Sequence, residues 1–109
     1  MSTKIPKLIE NYVQASNSRN LKSFLQCFTE DATVLDEGKT LQGKKAIENW
    51  FHQTREKYKF TTEPISVEDQ KNAMILTAKV TGDFPGSPVT LKYRLEINND
   101  RIQDLRITL

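Results

Sequence analysis

Three residues in this chain have types and settings from which proton chemistry could be built: Asp36, Tyr12 and Tyr93. Asp36 closes the stretch EDATVLDEG, where Ala32, Val34 and Asp36 share one parity and Thr33 and Leu35 take the other. Side chains two apart in a strand point to the same face, so if Val34 faces the interior, Asp36 does too. A carboxylate in an apolar pocket has its charged form disfavoured and becomes a better base. Tyr12 lies on the apolar stripe of a first helix, and Tyr93 sits between Leu91 and Leu95 on the inward parity of a strand. A phenol aimed at the same space can donate a hydrogen bond to an oxygen gaining negative charge. The plain alternatives stand beside this. Asp36-Glu37-Gly38 also reads as a solvated turn, and both tyrosines also read as core aromatics whose hydroxyls reach backbone or water.

Other candidate motifs carry less. GKTLQGKK, residues 38–45, nearly spells a phosphate-binding loop, but Lys45 stands where a magnesium-holding Ser or Thr is needed, and no repeating βαβ pattern surrounds it. One His and one Cys, without paired-ligand spacing, argue against a metal site, and no cofactor is expected. His52 falls off the apolar face of its helix and is expected in solvent; Cys27 reads as a small semi-buried filler. The charge balance, 16 Lys and Arg against 14 Asp and Glu, gives little reason to expect nucleic acid. No stretch approaches the ~18 apolar residues of a membrane span, and a lone cysteine fits a reducing cytoplasm.

The elements that must position these groups follow from periodicity. Ile5, Leu8, Ile9, Tyr12, Val13 and Ser16 keep a helical rhythm, with Pro6 in the first turn and Ser2 or Thr3 as cap. Asn20 caps a second helix with the apolar set Leu21, Phe24, Leu25 and Phe28, and a third follows Gly43 with Ile47, Trp50, Phe51, Thr54 and Tyr58. The second half changes to period two. It holds an extended piece, 60–67, kinked at Pro64; a polar turn, 68–72; and alternating strands over 74–81, 89–97 and 105–109, joined by turns at 82–88 and 98–100. The predicted class is a single α+β domain over 1–109. Three N-terminal helices pack on a strongly curved antiparallel sheet, a cone-shaped roll with space at its wide end.

Asn11 to Gly38, NYVQASNSRNLKSFLQCFTEDATVLDEG, resembles the opening of the nuclear transport factor 2-like superfamily, nearest its SnoaL-like and ketosteroid-isomerase-like branch. GKKAIENWF, residues 43–51, resembles that family's third helix. The resemblance implies a cystatin-like roll. It matches Tyr12 to the oxyanion-donor tyrosine of the steroid isomerases and Asp36 to their catalytic base, and sets Tyr93 where a protonated aspartic acid stands. The base there is followed by Pro, here by Glu37-Gly38. Phe24, Phe28, Trp50, Leu91 and Leu95 are expected to wall the pocket. The implied ligand is a small apolar or carbonyl-containing molecule, and the implied activity isomerase-, cyclase- or hydrolase-like without metal or nucleotide. A binder without chemistry is the rival, and so is a homodimeric interaction module pairing through the outer sheet face (Ile75, Thr77, Thr90, Arg94, Arg106).

Overall fold

The computed structural model describes residues 5–36, 38–70 and 72–108. The expected cap at Ser2 or Thr3 and the inward place of Leu109 lie outside them. Helix α1 (Lys7–Ser18) starts directly after Pro6, whose carbonyl accepts the Glu10 N–H at 3.0 Å, so the proline precedes the first turn instead of lying in it. It buries Ile9, Tyr12, Val13, Ala15 and Ser16 and ends at Arg19, which takes the left-handed conformation (φ 57°). Helix α2 (Leu21–Gln26) is capped as expected, with Asn20 Oδ1 accepting the Ser23 N–H at 3.1 Å. Helix α3 (Lys44–Lys57) follows Gly43 at φ 89°, a conformation that glycine adopts without a Cβ penalty. The Gly43 N–H donates to the Ala32 carbonyl at 2.8 Å and pins the start of this helix to the first strand.

Among the described residues six strands form one sheet in the spatial order β2-β1-β6-β5-β4-β3, the first two preceding α3 in the chain: β1 (Phe28–Asp36), β2 (Lys39–Gln42), β3 (Phe60–Gln70), β4 (Ala73–Gly82), β5 (Val89–Asn98) and β6 (Arg101–Thr108). Several expectations change here. The sheet is mixed, because β1 pairs with β6 in parallel while the other four pairings are antiparallel. Strand β1, which precedes the long hairpins, enters the sheet beside its last strand, a long-range pairing that periodicity does not encode. Phe28 begins β1 and does not belong to α2; Tyr58 is the C-cap of α3. The polar run 68–70 pairs with β4 instead of turning, so only residues 71 and 72 separate β3 from β4. The tight turn at Asn99-Asp100 is as expected: both take positive φ (53° and 63°), the two-residue hairpin geometry that Asn and Asp tolerate best after Gly.

Register settles which side chains face the helices. Val34 is level with Leu105, Leu105 with Leu95, and Leu95 with Met74, and this row lies against α1, α2 and α3. Residues two along share that face, so Asp36 is inward, on the end of β1. The interior holds Ile9, Phe24, Phe28, Val34, Ile47, Leu76, Leu95, Ile102 and Leu105 with no solvent exposure. The outer face is polar and paired within itself: Arg94 meets Glu96 at 3.1 Å, Arg106 meets Asp104 at 3.1 Å, and Thr33 donates to Asp104. Irregular pairing between Pro64 and Ser66 leaves Ile65 more than half exposed on the β3 edge, and such bulges bend a strand. Among the described residues no helix is long and apolar enough to cross a membrane.

The end of β4 is closely fitted to the start of β3. A Cβ added at Gly82 would run into the Lys59 carbonyl oxygen and stand 2.7 Å from Phe60 Cβ. The Lys59 N–H also donates to Asp83 Oδ1 at 2.8 Å, so that backbone is held in place. Gly82→Ala is therefore expected to cost about 1–3 kcal/mol, the usual range for overpacking. Chemical denaturation checks this; an unchanged midpoint would show that the strand end relaxes freely.

Candidate functional site

Tyr12, Asp36 and Tyr93 come from three elements, α1, β1 and β5; the two tyrosines meet under the helical roof, and Asp36 stands on the same sheet face. The Tyr12 ring stands edge-on to that of Tyr93, with centroids 6.2 Å apart, and both residues are buried. Extending the β1–β6 register from Leu35–Arg106 by one residue sets Asp36 level with Ile107, which in turn pairs with Tyr93. Asp36 and Tyr93 thus share one sheet row with a single strand between them, a backbone separation of roughly 10 Å from two strand spacings. The Asp36 carboxylate is half-buried, and its Oδ2 accepts the indole N–H of Trp50 at 3.0 Å. The charge on Asp36 is felt by both phenols.

Burial is the main force on both tyrosines. It raises Tyr12 well above the ordinary phenol range, helped by Tyr93 and Asp36 and opposed by Arg55. It pushes Tyr93 up to about 12; a hydrogen bond with the Thr62 side chain pulls the other way, Asp36 adds to the rise, and Arg55 opposes it. Both phenols therefore stay protonated at neutral pH and can donate. Cys27 is buried, and burial raises its thiol too, which fits a filler better than a nucleophile. His52 is exposed, 3.9 Å from Glu48, as expected.

The expected pocket wall divides. Phe24, Phe28 and Leu95 are fully buried core, while Trp50 and Leu91 are partly exposed and pack against it. Phe24 is the hub of the rings, with centroids 4.8 Å from Phe51, 5.2 Å from Tyr12, 5.3 Å from Phe28 and 6.0 Å from Trp50. Two clefts lie on the flanks of α1. One, of about 570 Å³, is lined by Val13, Asn17 and Pro64 among others; the other, of about 760 Å³, by Asn11, Ser23 and Asp100 among others. Neither is lined by Tyr12, Asp36 or Tyr93. Among the described residues no group of three His, Cys, Asp or Glu side chains could hold a metal ion.

Three contributors were missed from the sequence. Trp50 was expected as apolar wall and is also the donor that holds Asp36. Asn17, in the last turn of α1, carries no apolar signal; its side chain forms two 2.8 Å bonds with the Thr62 backbone and ties the roof to β3. Arg55 was not considered, although it follows Phe51 by four and Ile47 by eight and so lies on the buried face of α3. Its guanidinium packs over the Phe51 ring at 4.1 Å.

The phenols make alkaline stability a readout of this packing. Below the ordinary tyrosine pKa of 10.0 both states hold their phenolic protons. Above it the unfolded chain loses them while folded Tyr93 keeps its own to about 12, so the folded state binds more protons and stability falls as pH rises through that window. A two-unit difference corresponds to on the order of 3 kcal/mol. Denaturation on either side of the window is expected to show a steeper loss for the native chain than for Tyr93→Phe; equal slopes would mean that Tyr93 is not buried.

The SnoaL-like domain family matches residues 9–105. A "putative polyketide cyclase" from Sinorhizobium meliloti is 34% identical over 95% of both chains, with a TM-score of 0.92. A protein of ketosteroid isomerase-like fold from Catenulispora acidiphila, solved in complex with trimethylamine, is 17% identical with a TM-score of 0.86, over 97% of this chain and 87% of that one. A cystatin fold protein from Novosphingobium aromaticivorans is 12% identical with a TM-score of 0.78, over 94% and 96%. The last two bear on the fold alone. No curated protein matches. The chain thus belongs to the SnoaL-like domain family, with the nuclear transport factor 2-like fold expected from its sequence.

Proposed function

We propose that this domain binds a small apolar or carbonyl-containing molecule beneath its helical roof and transfers a proton on it, with Asp36 as base and Tyr12 as hydrogen-bond donor. The observation that supports the reading is geometric: Asp36 and Tyr93 share one sheet row, the Tyr93 ring stands 6.2 Å from that of Tyr12, and Asp36 is held by the Trp50 N–H. In the proposed step the C–H bond next to a substrate carbonyl breaks and its proton passes to the Asp36 carboxylate. The electron pair moves to the carbonyl oxygen, which accepts a hydrogen bond from the Tyr12 hydroxyl. Return of the proton to the same or another carbon closes the cycle with no net redox change. The Trp50 N–H steadies the carboxylate for this role. Tyr93 is a second donor on the same side.

A second reading is favoured by the ring packing. Phe24 and Phe28 are fully buried, so a ligand must displace rings to enter, and a domain that holds or senses a ligand without turnover fits that as well. Under either reading the domain is proposed to work in the cytoplasm as a homodimer joined through the outer sheet face. There Arg94 lies opposite Arg106 and Glu96 opposite Asp104, so a two-fold related copy can set its basic row on the other's acidic row.

Solvent hydrogen exchange next to the carbonyl of small enolisable ketones, followed by NMR, tests the chemistry. Asp36→Asn is expected to lower the rate by about 10²–10⁴-fold, the usual contribution of a general base. Tyr12→Phe is expected to lower it by about 10²-fold or more, as for loss of an oxyanion donor. Unchanged exchange in Asp36→Asn would remove Asp36 from the mechanism and leave the binding reading.

A further inference from the structure

Among the described residues Arg55 is the cation brought under the roof against the aromatic rings, and its surroundings are unusual for a cation. Its guanidinium carbon lies 4.1 Å from the ring centroid of Phe51, 5.1 Å from Phe24 and 5.1 Å from Phe60, so rings from α3, α2 and β3 surround it. Those contacts are favourable to a cation but supply no hydrogen bonds. Its Nη1 donates to Thr54 Oγ1 at 2.7 Å and its Nη2 to Ser16 Oγ at 2.5 Å. Both partners are neutral hydroxyls. Its Nε is sealed from solvent with no hydrogen-bond partner. Among the described residues no carboxylate forms an ion pair with Arg55.

A guanidinium offers five N–H donors in a rigid fork, and buried charges are ordinarily paired. An unpaired buried donor costs about 1–3 kcal/mol, and more when charged. Here burial lowers the pKa of Arg55; Tyr12 and Tyr93 oppose that, and Arg19 adds a smaller lowering. The rings and the two hydroxyls hold the guanidinium in place but leave its charge without an anionic partner, a role that an arriving anion would fill. The shape of the site selects the anion. The fork matches a planar two-oxygen group, and the ring walls suit an apolar body behind it.

We propose that Arg55 anchors the carboxylate of a small-molecule ligand, so that the ligand class of this domain is an apolar organic acid. The assignment rests on the reading that small molecules bind beneath the roof, and adds which end of them binds where. Repulsion from Asp36 keeps the ligand's carboxylate at the Arg55 end, on Ser16 and Thr54. The apolar remainder then extends past Tyr12 and Tyr93, both of which feel the charge of Arg55. Arg55 binds and orients in this account and takes no proton.

Calorimetry with matched pairs tests it: phenylacetate, cinnamate, phenylpyruvate and 2-naphthoate, each against its neutral primary amide. The native protein is expected to bind at least one acid tenfold or more tighter than its amide. Arg55→Gln should abolish that preference, Arg55→Lys should keep part of it, and Asp36→Asn should leave it intact or increase it. A purely structural Arg55 would lower stability on substitution and show no acid preference in the native chain. That comparison needs no variant and stands even if Arg55→Gln fails to fold. An amide bound as tightly as its acid in every pair, no binding of any probe, or a preference that survives Arg55→Gln overturns the proposal. Loss of the proton-transfer chemistry alone shows differently: exchange is then unchanged in Asp36→Asn while the acid preference persists.

Discussion

The packing of the Phe24 ring is the contact on which the interior depends. Helix α2 has only six residues, too few to hold helical structure alone in water. Its fully buried phenyl ring touches Tyr12 of α1, Phe28 of β1, and Trp50 and Phe51 of α3. Ring pairs of this kind contribute about 0.5–1.5 kcal/mol each beyond the area they bury. One side chain therefore fixes the spacing of three helices and the first strand. Two of its ring partners carry the polar groups of the site: Tyr12 presents its hydroxyl inward, and Trp50 holds Asp36.

That arrangement sets a tension between stability and access. The rings that position Tyr12 and Asp36 also fill the space beside them, so the proposed ligand would enter only as side chains move. The polar members are satisfied locally in the meantime: Ser16 by Arg55, Tyr93 by Thr62, and the Thr62 backbone by Asn17. Arg55 is the exception, with an orphaned Nε inside an aromatic cage. Buried polar groups without partners are rare in folded proteins, and those that persist concentrate at functional sites.

Much of this was legible in the sequence, and the misreadings share causes. The inward turn of Asp36 followed from the parity of Val34, and Tyr93 from the regular alternation of β5, because one buried face imposes a period of two. The hairpin at Asn99-Asp100 followed from local turn chemistry. What was missed depends on partners distant in the chain. The parallel β1–β6 pairing joins residues more than 70 apart, and no local pattern records it. The strand through Glu68, Asp69 and Gln70 is exposed on an edge, so no hydrophobic alternation marks it, and its polarity read as a turn. Phe28 sits four after Phe24 and fits a helical face by spacing, yet α2 stops at Gln26. Arg55 occupies an apolar-face position, but its charge removed it from a pattern built on hydrophobicity.

The central claim is that the half-buried Asp36 carboxylate and the two buried phenols lie within electrostatic reach of one another under the roof. A ¹³C NMR titration of tyrosine Cζ and aspartate Cγ resonances tests this most directly. The account predicts that the Tyr12 and Tyr93 Cζ signals both shift with an inflection at the pH where the Asp36 carboxyl titrates, and that this inflection disappears in Asp36→Asn. Tyrosine signals that stay flat while Asp36 gains its proton would contradict it, because the carboxylate would then lie in bulk water, out of reach of either ring.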